Sequence, residues 1–165
     1  MGITESKFVY TAQVKFANSS RLRCQYDCLA GEKKSMFHPP NTPGLEVSRD
    51  MLVEYRFGLL MRREVSAEPA PEMDEWSKFS DTVLKIERKA FLKGYVRAFN
   101  LAIGTCQYLH RNDSFRPCLY PDKKRPTFEA VGIELLETLE MVAWHDYAQR
   151  TKDEPFQLFA LLMLE

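Results

Sequence analysis

Phe8, Tyr10, Ala12, Val14 and Phe16 alternate with Val9, Thr11, Gln13 and Lys15, so the chain opens on a period-two pattern that predicts a strand over 8–16. A hydroxyl followed by proline, Thr42-Pro43, marks a helix start. Val47, Met51 and Tyr55 then keep helical spacing as far as Arg56. The apolar run FGLLM (57–61) predicts a short buried strand, and SAEPAPEMDE (66–75) a solvated loop within one domain. A long helix is predicted from Ser80 or Asp81 to about residue 103, with a core stripe of Leu84, Phe91, Tyr95 and Phe99 and with Ile86 and Ala90 beside it. Gly94 inside that helix costs about 1 kcal/mol relative to alanine, which predicts close packing against a neighbour. Gly104 is the expected stop.

Pro126-Thr127 begins a third predicted helix, with Phe128, Val131, Leu135, Leu139 and Val142 on one face. The last run, FQLFALLMLE (156–165), is apolar on both faces, as a central strand is. The predicted order is strand, cysteine loop, helix, strand, helix, cysteine loop, helix, strand. It describes a single domain over 1–165 of the α/β or α+β class, with a small sheet of three or more strands covered by three main helices. The two cysteine-bearing loops lie at the ends of regular elements, where sites commonly form.

Charge narrows the function. The 23 basic and 23 acidic residues cancel, and no basic stripe interrupts the balance, which excludes nucleic acid as a main partner. No apolar stretch approaches the ~20 residues needed to span a bilayer, so no membrane partner is expected. The start MGITESKF lacks the basic and apolar regions of a secretory signal, which predicts a cytoplasmic protein. In a reducing compartment its four cysteines are thiols, ligands or nucleophiles in preference to disulfides.

Chemistry is concentrated in the two loops. CQYDCLAGEKKSMFHPP (24–40) carries Cys24, Cys28 and His38, and CQYLHRNDSFRPC (106–118) carries Cys106, His110 and Cys118. Thiolates suit zinc and iron–sulfur clusters, and a closed site takes four ligands. The spacings, C-x3-C and then two cysteines separated by eleven residues, match no zinc-ribbon pattern and leave buried apolar cysteines as the alternative. A Cys106–His110 nucleophilic pair has no local signature. His145 reads as a packing or hydrogen-bonding residue near the third helix. Glu87 and Glu129 sit beside apolar stripes, and a link from Arg125-Pro126 to Glu129 is expected to fix the second loop against its helix.

The run LRCQYDCLAGEKKSMFHPPNTPGLEVSRDMLVEYRFGLLM, together with IERKAFLKGYVRAFNLAIGTCQYLH and CLYPDKKRPTFEAVGIEL, resembles a prokaryotic family of predicted metal-binding proteins, domain of unknown function 2284. The likeness extends from about residue 21 to the C-terminus. It implies that Cys24, Cys28, Cys106 and Cys118 match family cysteines. His38 stands where the family has the cysteine before Pro-Pro, Leu109 and Asn112 stand at two further cysteine positions, and Val131 replaces another small or cysteine residue. About half of the family's thiols are therefore absent. Histidine can replace thiolate on iron or zinc; leucine cannot, and asparagine is a poor donor to soft metals.

The resemblance favours a metal-binding protein, holding an iron–sulfur cluster or zinc through Cys24, Cys28, Cys106, Cys118 and His38. It would act in electron transfer or metal handling with a protein redox or assembly partner. The lost thiols favour a metal-free relative that serves as an interaction subunit or small-ligand binder, with no cofactor. A third reading is an enzyme with a cysteine nucleophile such as Cys106 beside His110 or His38. The apolar C-terminal strand and the aromatic content leave room for a homodimer.

Overall fold

The computed structural model describes residues 2–26, 38–65, 73–102, 121–123, 125–149 and 156–165. Four strands, β1 (Glu5–Tyr10), β2 (Phe57–Val65), β3 (Phe99–Ala102) and β4 (Phe156–Leu164), form one sheet in the order β1-β2-β4-β3. Every neighbouring pair is antiparallel, which places the fold in the α+β branch of the expected class. The described helices are α1 (Asn18–Tyr26), α2 (Leu45–Val53), α3 (Met73–Leu92) and α4 (Leu135–Met141).

β4 is the central strand that its two apolar faces require. Leu158, Phe159, Ala160, Leu161, Leu162 and Met163 are all at most 1% exposed. On one face Phe159, Leu161 and Met163 join Leu60, Leu101, Phe128, Ile133, Leu139 and Trp144. On the other, Leu158, Ala160 and Leu162 join Met61 and the α3 residues Phe79 and Val83. The sheet is thus packed on both sides, with α3 over β3 and β4 on the second face. At Gly58 on β2 a Cβ would come within 2.6 Å of Leu161 Cδ1 and 3.2 Å of Val9 Cγ2, so glycine leaves room there for both buried side chains.

Several expectations are corrected. The first strand covers only Glu5–Tyr10 and gives way to a 3-10 turn at Thr11–Gln13. Its buried face is that of Val9, while Phe8 and Tyr10 are exposed, as the outer face of an edge strand can be. α3 begins seven residues or more before the expected start and ends at Leu92. Its core-facing stripe is Phe79 and Val83, both buried, with Ile86 and Ala90 partly buried, a run at helical spacing, whereas Phe91 and Tyr95 are exposed.

Gly94 explains the early stop. It adopts φ 104°, and no atom lies within 4 Å of a Cβ built there, so its role is conformational and not close packing. The Tyr95 amide donates to the Ala90 carbonyl and the Gly94 amide to that of Phe91, which is the paired closure of a Schellman motif. The chain then enters β3, which the sequence pattern assigned to the helix.

The third predicted helix is likewise interrupted. Glu129–Val131 form a 3-10 turn, Gly132 takes φ 85°, Ile133 bridges to Phe16, and α4 follows. Phe128, Val131, Leu135 and Leu139 are nevertheless buried, and Val142 packs against them. Gly132 satisfies two demands, since a Cβ there would also meet Leu45 Cδ1 at 2.4 Å. α2 starts at Leu45, with Gly44 at the N-cap; the hydroxyl of Thr42 is used elsewhere.

Candidate functional site

α1 is a helix that no apolar periodicity announced. Only Ser20 and Cys24, one turn apart, are buried on it, and Leu22 and Tyr26 point to solvent. Polar contacts hold it in place. The Ser20 hydroxyl donates to Glu134, and Arg23 Nη2 lies 3.3 Å from the same carboxylate. Arg21 is the main tie. Its Nη1 donates to Thr42 Oγ1 at 2.9 Å, to the Pro43 carbonyl at 2.7 Å and to the Ala130 carbonyl at 2.6 Å, and its Nη2 to the Thr42 carbonyl at 3.1 Å. Thr42 Oγ1 donates in turn to the Ala130 carbonyl at 2.8 Å. One guanidinium therefore joins the helix of Cys24, the segment that follows His38, and the turn Glu129–Val131.

This frame brings Cys24 and His38 together. Cys24 Sγ lies 3.0 Å from His38 Nδ1, and the two residues are 7% and 2% exposed. The other ring nitrogen, Nε2, is buried without a hydrogen-bond partner. Burial pushes the His38 imidazole below its ordinary value of 6.5, which keeps it neutral near pH 7 with a lone pair to donate. Cys28, Cys106, His110 and Cys118 lie outside the described residues, as do Leu109 and Asn112. Among the described residues, no group of three or more His, Cys, Asp or Glu side chains is placed to hold a metal ion.

The depressed His38 value has a consequence for stability. Between its folded value and 6.5 the unfolded chain binds the extra proton and the folded protein does not, so stability falls as pH drops below 6.5. His38→Gln lacks this component. Denaturant unfolding of metal-free protein between about pH 7 and about pH 5 is expected to show a steeper loss in the wild type than in the variant. Parallel curves would show that the imidazole is not held neutral.

The segment after the second cysteine loop is anchored close by. β3 ends at Ala102, whose amide donates to the Pro126 carbonyl at 3.2 Å, and Ala102 pairs in parallel with Thr127. The same short stretch, 126–130, thus touches Ala102 at one end and the Arg21–Thr42 frame at the other. Arg125 pairs with Glu87, not with the segment of Glu129 as the sequence suggested. Glu87 also accepts from the Asn100 amide at 2.8 Å and from Asn100 Nδ2 at 2.9 Å. Asn100 is fully buried on β3, so the carboxylate is drawn to the one place where a strand amide, a side-chain amide and a guanidinium all need an acceptor.

Burial pushes the Glu129 carboxyl above its ordinary value, against hydrogen bonds from its own backbone and from Thr127. His145 is exposed on the 3-10 turn His145–Gln149 and does not pack as expected. Sequence reasoning missed Arg21 altogether. An arginine three residues before a cysteine carries no signal until its partners, 21 and 109 residues away, are folded against it.

Among the described residues no helix is long and apolar enough to cross a membrane. No curated protein and no solved structure matches the chain. The profile of one family does match, described as predicted metal-binding protein (DUF2284), and it spans residues 7–164. Covering almost the whole fold, with the Cys24–His38 contact inside it, that match places the chain in the DUF2284 family of predicted metal-binding proteins.

Proposed function

We propose that this protein holds a thiolate-seeking metal, zinc or an iron–sulfur cluster, at a centre built on the Cys24–His38 contact, and that it serves in electron transfer or metal handling. The observation that carries the reading is the contact itself: a sulfur 3.0 Å from an imidazole nitrogen, both side chains buried, with the second ring nitrogen unpartnered. A soft sulfur and a neutral imidazole are donors that zinc and iron accept. Cys28, Cys106 and Cys118 are the remaining candidate donors. The anchoring of stretch 126–130 to both Ala102 and the Arg21 frame supports bringing the second cysteine segment toward the first.

When bound, the metal would supply either a fixed cross-link between the two segments or, as a cluster, a one-electron centre. A histidine ligand among thiolates raises a cluster's reduction potential. The protein's own contribution is to exclude water from the His38 side and to keep the imidazole neutral.

Metal analysis and an absorption spectrum on protein purified without oxygen test this directly. Zinc near one per chain, or iron with a broad band near ~400 nm, is expected, and Cys118→Ser and His38→Gln should each remove it. A colourless, metal-free and well-folded wild type would refute the reading and move attention to the role of an interaction subunit.

A further inference from the structure

The outer side of α3 borders a cleft that the metal-binding reading does not use. The helix turns Phe79, Val83, Ile86 and Ala90 toward the sheet, and away from it meets the short turn Pro121–Lys123 and Arg125. Between them lies an open cleft of about 410 Å³, a size common among small-ligand sites. Two ion pairs fix its walls. Lys123 Nζ lies 3.1 Å from Asp81 Oδ1, and Arg125 Nη2 pairs with Glu87. The Arg125 guanidinium also sits over the Phe99 ring, 5.0 Å from its centroid, so this wall is held from two sides.

Leu84 gives the cleft an apolar surface. Periodicity assigns it to the core stripe; the structure places it in neither core cluster and in the cleft wall. The charges around it are unequally spent. Asp81 is matched by Lys123 and Glu87 by Arg125, whereas Lys85 and Arg88 also line the cleft and, among the described residues, neither makes an ion pair or a hydrogen bond. A lone exposed lysine is ordinarily just solvated. Here two unpaired cations, one helical turn apart, share a cleft whose walls are held by ion pairs, so their fields reinforce each other at its mouth. The exposed Asp122 carboxylate on the facing turn opposes them only in part.

We propose that this cleft binds a small hydroxylated organic anion, with Lys85 and Arg88 holding its phosphate or carboxylate end and Leu84 against its carbon skeleton. A guanidinium meets either anion through two N–H groups at once, and an ammonium meets it as a point charge. Asp122 repels a second bare charge and accepts from a hydroxyl, which is why a hydroxylated ligand fits better than a bare dianion. The site shares no residue with the candidate metal ligands, so it stands or falls independently of the metal-binding reading.

Isothermal titration calorimetry of the full chain at low ionic strength tests it, with glucose 6-phosphate and gluconate as probes and sodium chloride at matched ionic strength as control. Saturable one-to-one binding of at least one probe is expected, weakened about tenfold or more in Lys85→Ala/Arg88→Ala, the effect of losing a hydrogen bond to a charged group. Both positions are exposed on the helix and alanine is the best helix former, so the double variant keeps the fold, which circular dichroism checks. Binding of glucose 6-phosphate alone assigns the charged end as phosphate, and binding of gluconate alone as carboxylate; either supports the site. Heat that chloride reproduces, affinity that the double variant retains, or failure of both probes to bind the wild type would each overturn the proposal.

Discussion

Glu87→Ala is expected to destabilise the protein by about 3–5 kcal/mol, the range for removing one partner of a buried ion pair. The Glu87 and Arg125 side chains are 12% and 18% exposed, so water replaces the lost interaction only in part. Four donors converge on this carboxylate: Arg125 Nε at 2.9 Å, Arg125 Nη2, the Asn100 amide at 2.8 Å and Asn100 Nδ2 at 2.9 Å. After truncation Asn100 Nδ2 keeps the Val83 carbonyl at 3.1 Å, but its backbone amide has no second acceptor among the described residues. Arg125 keeps the Asp122 carbonyl at 3.1 Å and its place over the Phe99 ring but loses both contacts to the carboxylate.

Urea unfolding reads the effect as a lowered midpoint with an unchanged slope. The double variant Glu87→Leu/Arg125→Leu should be less damaged than Glu87→Ala alone, because both members of the pair are then replaced by apolar groups. A single-variant loss under about 1 kcal/mol would mean that the pair behaves as a surface salt bridge. The consequence extends to function, since Arg125 leads directly into the stretch that pairs with Ala102 and reaches the Arg21 frame. Metal content of Glu87→Ala, measured where it remains folded, should fall with it.

Phe159→Ala is expected to cost a similar amount, about 3–5 kcal/mol, the range for deleting a fully buried aromatic ring. Phe159 is 0% exposed on the central strand. Tyr147 meets it edge-on with centroids 5.2 Å apart, and Trp144 lies 6.1 Å away. These two rings come from the 3-10 turn after α4 and its approach, so the deletion loosens that turn as well as the sheet. Phe159→Leu keeps most of the volume and should cost less than about 1.5 kcal/mol. Near-ultraviolet circular dichroism together with denaturant midpoints checks both. Equal losses for leucine and alanine would show that ring stacking, and not the cavity, dominates.

The sequence reading and the structure part company at identifiable places. β2 and β4 were legible because their burial patterns are local: a run apolar on both faces can satisfy itself only at the centre of a sheet. The helix α2 was legible too, but its buried positions are Ser48 and Leu52, with Met51 and Tyr55 partly buried and the expected Val47 exposed. The stripe Phe128, Val131, Leu135, Leu139 and Val142 was correctly assigned to the core but wrongly to one continuous helix. Both glycines at positive φ, Gly94 and Gly132, break patterns that look helical on composition, because a left-handed residue leaves the spacing of apolar neighbours intact on either side. α1 stayed hidden for the opposite reason: arginine and serine contacts to distant residues hold it, and it buries no apolar stripe.

The sequence by itself determined the central strand and the kinship that the family match establishes. Tertiary structure alone decided that Cys24 meets His38, that Arg21 clamps three segments, that Glu87 and not Glu129 receives Arg125, and that the Val9 face of β1 is the buried one. The division has a physical cause. Periodicity records whether a residue is buried, since burial repeats with the geometry of its own element. Which partner it meets there depends on loop paths and hydrogen-bond matching between distant segments, and those leave no periodic trace in the chain.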